Sequence, residues 1–248
     1  MNRILMALAL IGWCTCSAGA AINIPAEMAA IDRALIPVWA FTIEGRLDLA
    51  AKSMPLLQRE WNGFKERHFA AKNADAEWRA DFDRITALIG EADAILDGGR
   101  FPDLVRAPLE RVVSILAALR QRNGIDYYPD YLVACRIPLD GIVSAAGAAD
   151  PESVGRIRAL YPSLRLAWQR VPAAGPGPEF RLTAAQRGGV PAMVEAESKA
   201  LSALGAALGG NDVKAISAAA VALRVPFLRL YYIFGDFHAG IWEQPAAK

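Results

Sequence analysis

The chain has 248 residues, 54% hydrophobic, 21% charged and 8% aromatic, with 27 Lys+Arg against 26 Asp+Glu and a formal net charge of +1. That hydrophobic fraction excludes a disordered chain, and the charge balance offers no basic excess for nucleic acid. Three cysteines cannot build a disulfide-dense scaffold, and the length suits one large domain or two of about 100 residues.

The first twenty residues read as an export signal. Met1 to Arg3 supplies a short positive end, Ile4 to Trp13 is apolar, and Ala18 and Ala20 satisfy the A-x-A pattern, so residues 1–20 are predicted to be cut after Ala20. An apolar run of about ten residues is too short to span a bilayer. Cys14 and Cys16 lack the leucine-x-small context of a lipid attachment site. Cleavage removes Arg3 and leaves a formally neutral chain with one cysteine, Cys135. With no later uncharged apolar segment of spanning length, the mature protein is expected in the periplasm or secreted, without a retained membrane span and without an internal disulfide.

Alanine, the best helix former, dominates the rest, and apolar residues recur at helical spacing. The predicted class is all-α. In the first half, Met28, Ile31, Leu35, Val38 and Thr42 form one stripe, and Ser53, Leu57, Trp61, Phe64 and His68 a second. Trp78, Phe82, Ile85, Ile89, Ala92 and Leu96 form a third, and Val105, Leu109, Val112, Leu116 and Leu119 a fourth. Asn73 and Asp75 are candidate caps; Gly98-Gly99 and Asn123-Gly124 are candidate stops.

The second half repeats the scheme. Leu132, Cys135, Leu139, Ile142 and Ala146 share a face, and Asp150-Pro151-Glu152 starts a helix expected to reach about Val171. Residues 172–190, with Pro-Ala-Ala-Gly-Pro-Gly-Pro, are expected to be an irregular loop. Pro191 then opens a helix that Gly209-Gly210 closes. Asn211 is the expected cap of the last, which carries Val213, Ile216, Ala220, Leu223, Phe227, Leu230 and Phe234 on one face.

The halves also match locally. Ile36-Pro37-Val38 lies 101 residues before Ile137-Pro138-Leu139, and Met54-Pro55 to Trp61 lies 107 before Tyr161-Pro162 to Trp168, with Pro, Leu and Trp in register. Gly98-Gly99 precedes Gly209-Gly210 by 111, and each half ends in a Tyr pair followed by Asp. Four matches in order with slowly drifting offsets predict two tandem four-helix units of up-down bundle type, related by internal duplication: residues 21–129 and 130–248. Pro55, Pro162, Pro108 and Pro226 fall inside predicted helices, where each removes a hydrogen bond. Each therefore predicts a bend around a neighbour or a freed carbonyl.

Chemistry is sparsely signalled. His68 shares its stripe with Trp61 and Phe64 and is expected to face the interior, held by a hydrogen bond; His238 follows the Phe234-Gly235-Asp236-Phe237 turn. No zinc-type ligand spacing, di-iron pattern, C-x-x-C-H, G-x-S-x-G or phosphate loop is present. Glu44, Asp48, Asp75, Glu77, Asp81, Asp83, Glu195 and Glu197 are expected on solvated faces, and Cys135 as a small buried hydrophobe. No cofactor is indicated. The tail from Pro226 to Phe237 holds more aromatic rings than one helix face can bury. It suggests that Tyr231, Tyr232 and Asp236, with Tyr127, Tyr128 and Asp130, line an equivalent groove in each half.

This tail, with Trp61-Asn62-Gly63-Phe64, Trp78 to Phe82 and Gly124-Ile125-Asp126-Tyr127-Tyr128, is similar to a group of uncharacterised exported helical proteins of proteobacteria. The resemblance runs over most of the mature chain and implies an exported location and an all-helical fold, but no reaction. Where that group often carries His-Glu, this chain has Cys135-Arg136, which removes a ligand pair the resemblance would otherwise imply. The residues point to a non-enzymatic binding or accessory module for a small ligand or a periplasmic protein, with Trp61, His68, Tyr127, Tyr128, Tyr231, Tyr232 and Asp236 as candidate contacts. The alternative is a periplasmic metal- or haem-handling protein using His68 and carboxylates.

Overall fold

The computed structural model describes residues 24–70, 76–99, 101–171 and 175–237. The expected signal peptide, the candidate caps Asn73 and Asp75, and His238 lie outside them. Among the described residues there are nine α-helices, one 3-10 turn and no strand. The first four helices are α1 (Ile24–Ile43), α2 (Leu47–His68), α3 (Ala76–Gly98) and α4 (Pro102–Arg122); the next two are α5 (Tyr128–Ala146) and α6 (Pro151–Gln169). After the 3-10 turn Pro178–Phe180 come α7 (Ala184–Leu208), α8 (Val213–Ala222) and α9 (Arg224–Tyr232).

Every residue of the six apolar stripes is buried except Val213, which is half-buried. Helical periodicity therefore placed the core faces. The punctuation also follows local chemistry. Asp150 caps α6 by accepting from the Ser153 amide at 2.7 Å. Gly99 and Gly124 follow their helices with φ of +67° and +66°, a region that costs glycine no steric strain.

Several expected boundaries move. The segment 172–190 is not irregular throughout, because α7 begins at Ala184. Its start is a capping box: Thr183 Oγ1 accepts from the Gln186 amide, and the Gln186 side chain accepts from the Thr183 amide. Pro191 thus lies inside α7 instead of opening it. Asp212, not Asn211, caps the next helix, receiving the Lys214 and Ala215 amides. The last stripe belongs to two helices that meet at Leu223, because Pro226 removes a donor from the joint. The α6 helix stops at Gln169, and residues 123–127 connect α4 to α5.

Each half closes into a ring. In the first, α1 packs on α2 and α4, and α3 packs on α2 and α4; in the second, α5 packs on α6 and α8, and α7 on α6, α8 and α9. Within the pairs α1–α2, α3–α4, α5–α6 and α8–α9 the connections are short, as in up-down bundles, whereas residues 170–183 join α6 to α7. One detail recurs across the two rings. Trp61 donates Nε1 to Thr86 Oγ1 at 3.0 Å, and its sequence counterpart Trp168 donates Nε1 to Ser198 Oγ at 2.9 Å. Both hydroxyls in turn donate to the carbonyl four residues earlier in their own helix. The two rings share one continuous hydrophobic core. No described helix is long and apolar enough to cross a membrane.

The tail closes on the first helix through a proline. Pro37 has no N–H, so the carbonyl of Arg33 has no intrahelical donor. That carbonyl accepts from the Asp236 amide at 2.8 Å, while the Arg33 guanidinium donates to the Asp236 carboxylate at 3.0 Å. Of the two outcomes expected of a helix proline, this one frees a carbonyl, and the chain's own tail uses it.

Candidate functional site

Where the units meet, α4 and α5 diverge from the connector and leave a cleft of about 780 Å³, within the range of small-molecule sites. One wall is a stripe of small residues on α4: Ser114, Ala117, Ala118 and Gln121. The other comes from Val133, Ala134 and Ile137 of α5 and Leu166 and Ala167 of α6. Alanines at these positions leave space that larger side chains would fill. Ile137 and Leu166 stand 68% and 62% exposed at its walls. Its polar groups include Asp126, which accepts from the Tyr131 hydroxyl at 2.8 Å, and Arg170.

Behind the cleft lies an interior ion network. Asp130 faces the cleft and receives two bonds from Arg120, Nε at 2.9 Å and Nη2 at 2.5 Å. Arg120 is 1% exposed, and its Nη1 lies 3.6 Å from the buried Asp32 of α1. The guanidinium also sits 4.1 Å from the centre of the Tyr127 ring. Burial alone would lower the Arg120 pKa, but Asp32 and Asp130 more than offset it and hold the group above its ordinary value. Burial pushes Asp32 above the usual carboxylate range, with Arg120 opposing; burial and then Asp32 push Tyr127 well above a normal phenol. One arginine of the first unit therefore ties its own α1 to the start of α5, and the tie forms the floor of the cleft.

The seven candidate contacts separate into two places. Trp61 lies in the first ring's core against Phe64 and Phe82. His68 is buried beside Phe64, and its Nε2 pairs with Glu27 at 2.9 Å, a carboxylate that Arg67 also holds. Its carbonyl accepts from Trp78 Nε1. The His68 imidazole is thus a tie between α2 and α1. Among the described residues no group of three or more His, Cys, Asp or Glu side chains converges as a metal site.

The other five meet along the seam. Tyr127 lines the large cleft; Tyr128 packs on Phe234, and Phe180 bridges Tyr127 to Phe234. Tyr231 meets the Trp39 ring edge-on at 5.4 Å, and Tyr232 meets Trp39 and Phe237. Tyr232 and Asp236 line a separate cleft of about 270 Å³ with Arg33 and Arg181. The two tyrosine pairs do not sit alike: Tyr127 and Tyr128 begin α5, whereas Tyr231 and Tyr232 end α9.

Two expected solvent-facing carboxylates are buried. Asp81 is held by Arg84 and Arg122. Glu197 is fully buried on α7 with neither oxygen bonded by a described side chain. Periodicity also passed over Asp32, Arg120 and Arg136, although each sits on an apolar face and was legible there as an anomaly. Comparison of the chain with protein-family models, with curated proteins and with solved structures finds no match in any of the three.

Proposed function

We propose that this protein is an exported, non-enzymatic binding or accessory module built from a duplicated four-helix unit, and that its ligand or partner docks in the cleft between α4, α5 and α6. The observation that carries this reading is the cleft itself: about 780 Å³, walled by alanines with Ile137 and Leu166 exposed, and lined with polar groups that include Asp126, Asp130 and Arg170. Duplication is supported by the ordered motif matches and by the recurring tryptophan-to-hydroxyl bond of the two rings. Export is supported by residues 1–20.

The test uses an apolar fluorescent probe, 8-anilinonaphthalene-1-sulfonate, on folded protein. The wild type is expected to raise its emission saturably, and Ala118→Trp or Ala134→Trp, which fill the cleft, to abolish the rise without lowering the melting temperature. An unchanged titration in both variants would sink the cleft reading. Export is tested by periplasmic fractionation and an intact mass lacking residues 1–20. The metal- or haem-handling alternative predicts one bound metal or haem per chain that His68→Ala removes. It has less behind it, since Glu27 already holds His68.

A further inference from the structure

Arg136 presents a charge problem that the cleft does not explain. It lies on the core face of α5 between Leu132 and Leu139 and is 4% exposed. Its Cζ sits 4.7 Å from the centre of the Trp39 ring of α1. Arginine cannot shed its proton inside a protein, and a buried charge without a counter-charge costs several kcal/mol, on the order of an ion pair's desolvation. Arg120 nearby meets Asp130 and Asp32. Arg136 has no such ion pair: its Nη1 bonds to nothing among the described residues, and Asp140, one turn along α5, attracts it only from beyond ion-pair distance.

A second orphan stands beside the first. Trp39 is 1% exposed, and its Nε1 also finds no acceptor among the described residues. Both groups are donors only, so they call for an acceptor. A water would satisfy the hydrogen bonds but add no charge beside the guanidinium in a low-dielectric interior; an anion does both. Neither Arg136 nor Trp39 lines either of the clefts described above, and both side chains are buried, which restricts the acceptor to a few atoms. We propose that Arg136 and the Trp39 indole N–H hold a small monoanion, a halide or a formate-sized carboxylate, in the seam between the two units. This site is separate from the cleft, and the bound ion clamps α5 of the second unit to α1 of the first.

The experiment is thermal unfolding of the full chain in sodium chloride, bromide or formate, with sodium gluconate, too large to be buried, keeping ionic strength constant. A ligand of the folded state alone raises the melting temperature with its concentration. The wild type is expected to melt higher in the small anions than in gluconate, and Arg136→Met to lose that difference. Trp39→Phe keeps the ring and deletes one donor to a charged ligand, so its response should need about tenfold more anion. A response to halide alone or to formate alone identifies which kind of monoanion the site takes. A bromide-soaked crystal of the wild type should give an anomalous peak in contact with Arg136, whether or not either variant folds. Melting in chloride, bromide and formate that all equals melting in gluconate, an anion effect that survives in Arg136→Met, or, where halide raises the melting temperature, a bromide crystal without that peak overturns the proposal.

Discussion

Glu197 gives the sharpest quantitative handle on this fold. Its side chain leaves α7 for the interior of the second unit, fully buried, with no side-chain partner for either oxygen. Burial pushes its pKa from 4.5 up to about 8, and the Phe227 amide at the joint of α8 and α9 pulls it only partly back. In the folded state the carboxyl keeps its proton to about pH 8; in the unfolded chain it releases it near 4.5. Below the lower value both states are protonated and the folded state is at its most stable. Between the two values the unfolded state binds fewer protons, so stability falls as pH rises, and above about 8 the fall ends. At about 1.4 kcal/mol per unit, the loss between pH 5 and pH 7 comes to about 2.5 kcal/mol.

Glu197→Gln removes this titration while keeping the shape. Urea unfolding followed by circular dichroism at pH 5, 6, 7 and 8 should give a wild-type stability that falls relative to the variant by about 2.5 kcal/mol over the first two units and by about 1 kcal/mol more from pH 7 to 8. Asp32, Asp140 and Glu44, also raised by burial, titrate in both proteins and cancel in the difference. Curves that run parallel from pH 5 to pH 8 would refute the assignment of Glu197 as a proton-holding interior acid.

Three other changes test the seam and the repeat. Arg120→Met leaves Asp130 and Asp32 inside without their counter-charge, and chemical denaturation should register a loss of about 3–5 kcal/mol; a loss below 1 kcal/mol would mean the network is solvated. Pro37→Ala returns a donor to the Arg33 carbonyl, in competition with the Asp236 amide, so hydrogen exchange at residues 234–237 should quicken while the α1 amides slow. No change in that tail would remove the proline from its role in docking. Trp61→Phe and Trp168→Phe each delete one tryptophan-to-hydroxyl bond, at about 0.5–1.5 kcal/mol apiece, with a further packing loss at the buried Trp61, and the double variant should show the sum of the two single losses, since the two lie in different rings.

The helices were legible because burial imposes a period, and apolar residues on one face of a helix report it directly. Leu132, Cys135, Leu139 and Ile142 could be placed on one face without knowing what they touch. Boundaries were harder where two local signals competed. Pro191 resembles a helix start, but Thr183 and Gln186 satisfy each other's backbone groups seven residues earlier, and that reciprocal bond outweighs one missing donor inside α7. Likewise Asn211 and Asp212 are both acceptable caps, and only the carboxylate reaches two amides.

The interior ions were written into the same periodicity and missed because only apolar positions were counted. Asp32 stands four residues from Met28 and three from Leu35; Arg120 follows Leu116 by four; Arg136 follows Leu132 by four and precedes Leu139 by three; Glu197 precedes Leu201 by four. A charge in phase with an apolar face means either that the phase is wrong or that the interior is built to receive it. All four faces are buried as the phase requires, so the second alternative holds. What spacing could not supply is the pairing. Arg120 meets Asp130 because the connector turns at Gly124 and brings α5 back beneath α4. Arg136 meets Trp39 because the two rings share a seam. The cleft is less legible still, since it consists of alanines whose meaning is the volume they leave open, and that depends on how far α4 and α5 diverge. In a helical protein of this kind, the positions to examine first are the charges that keep step with the hydrophobic stripe.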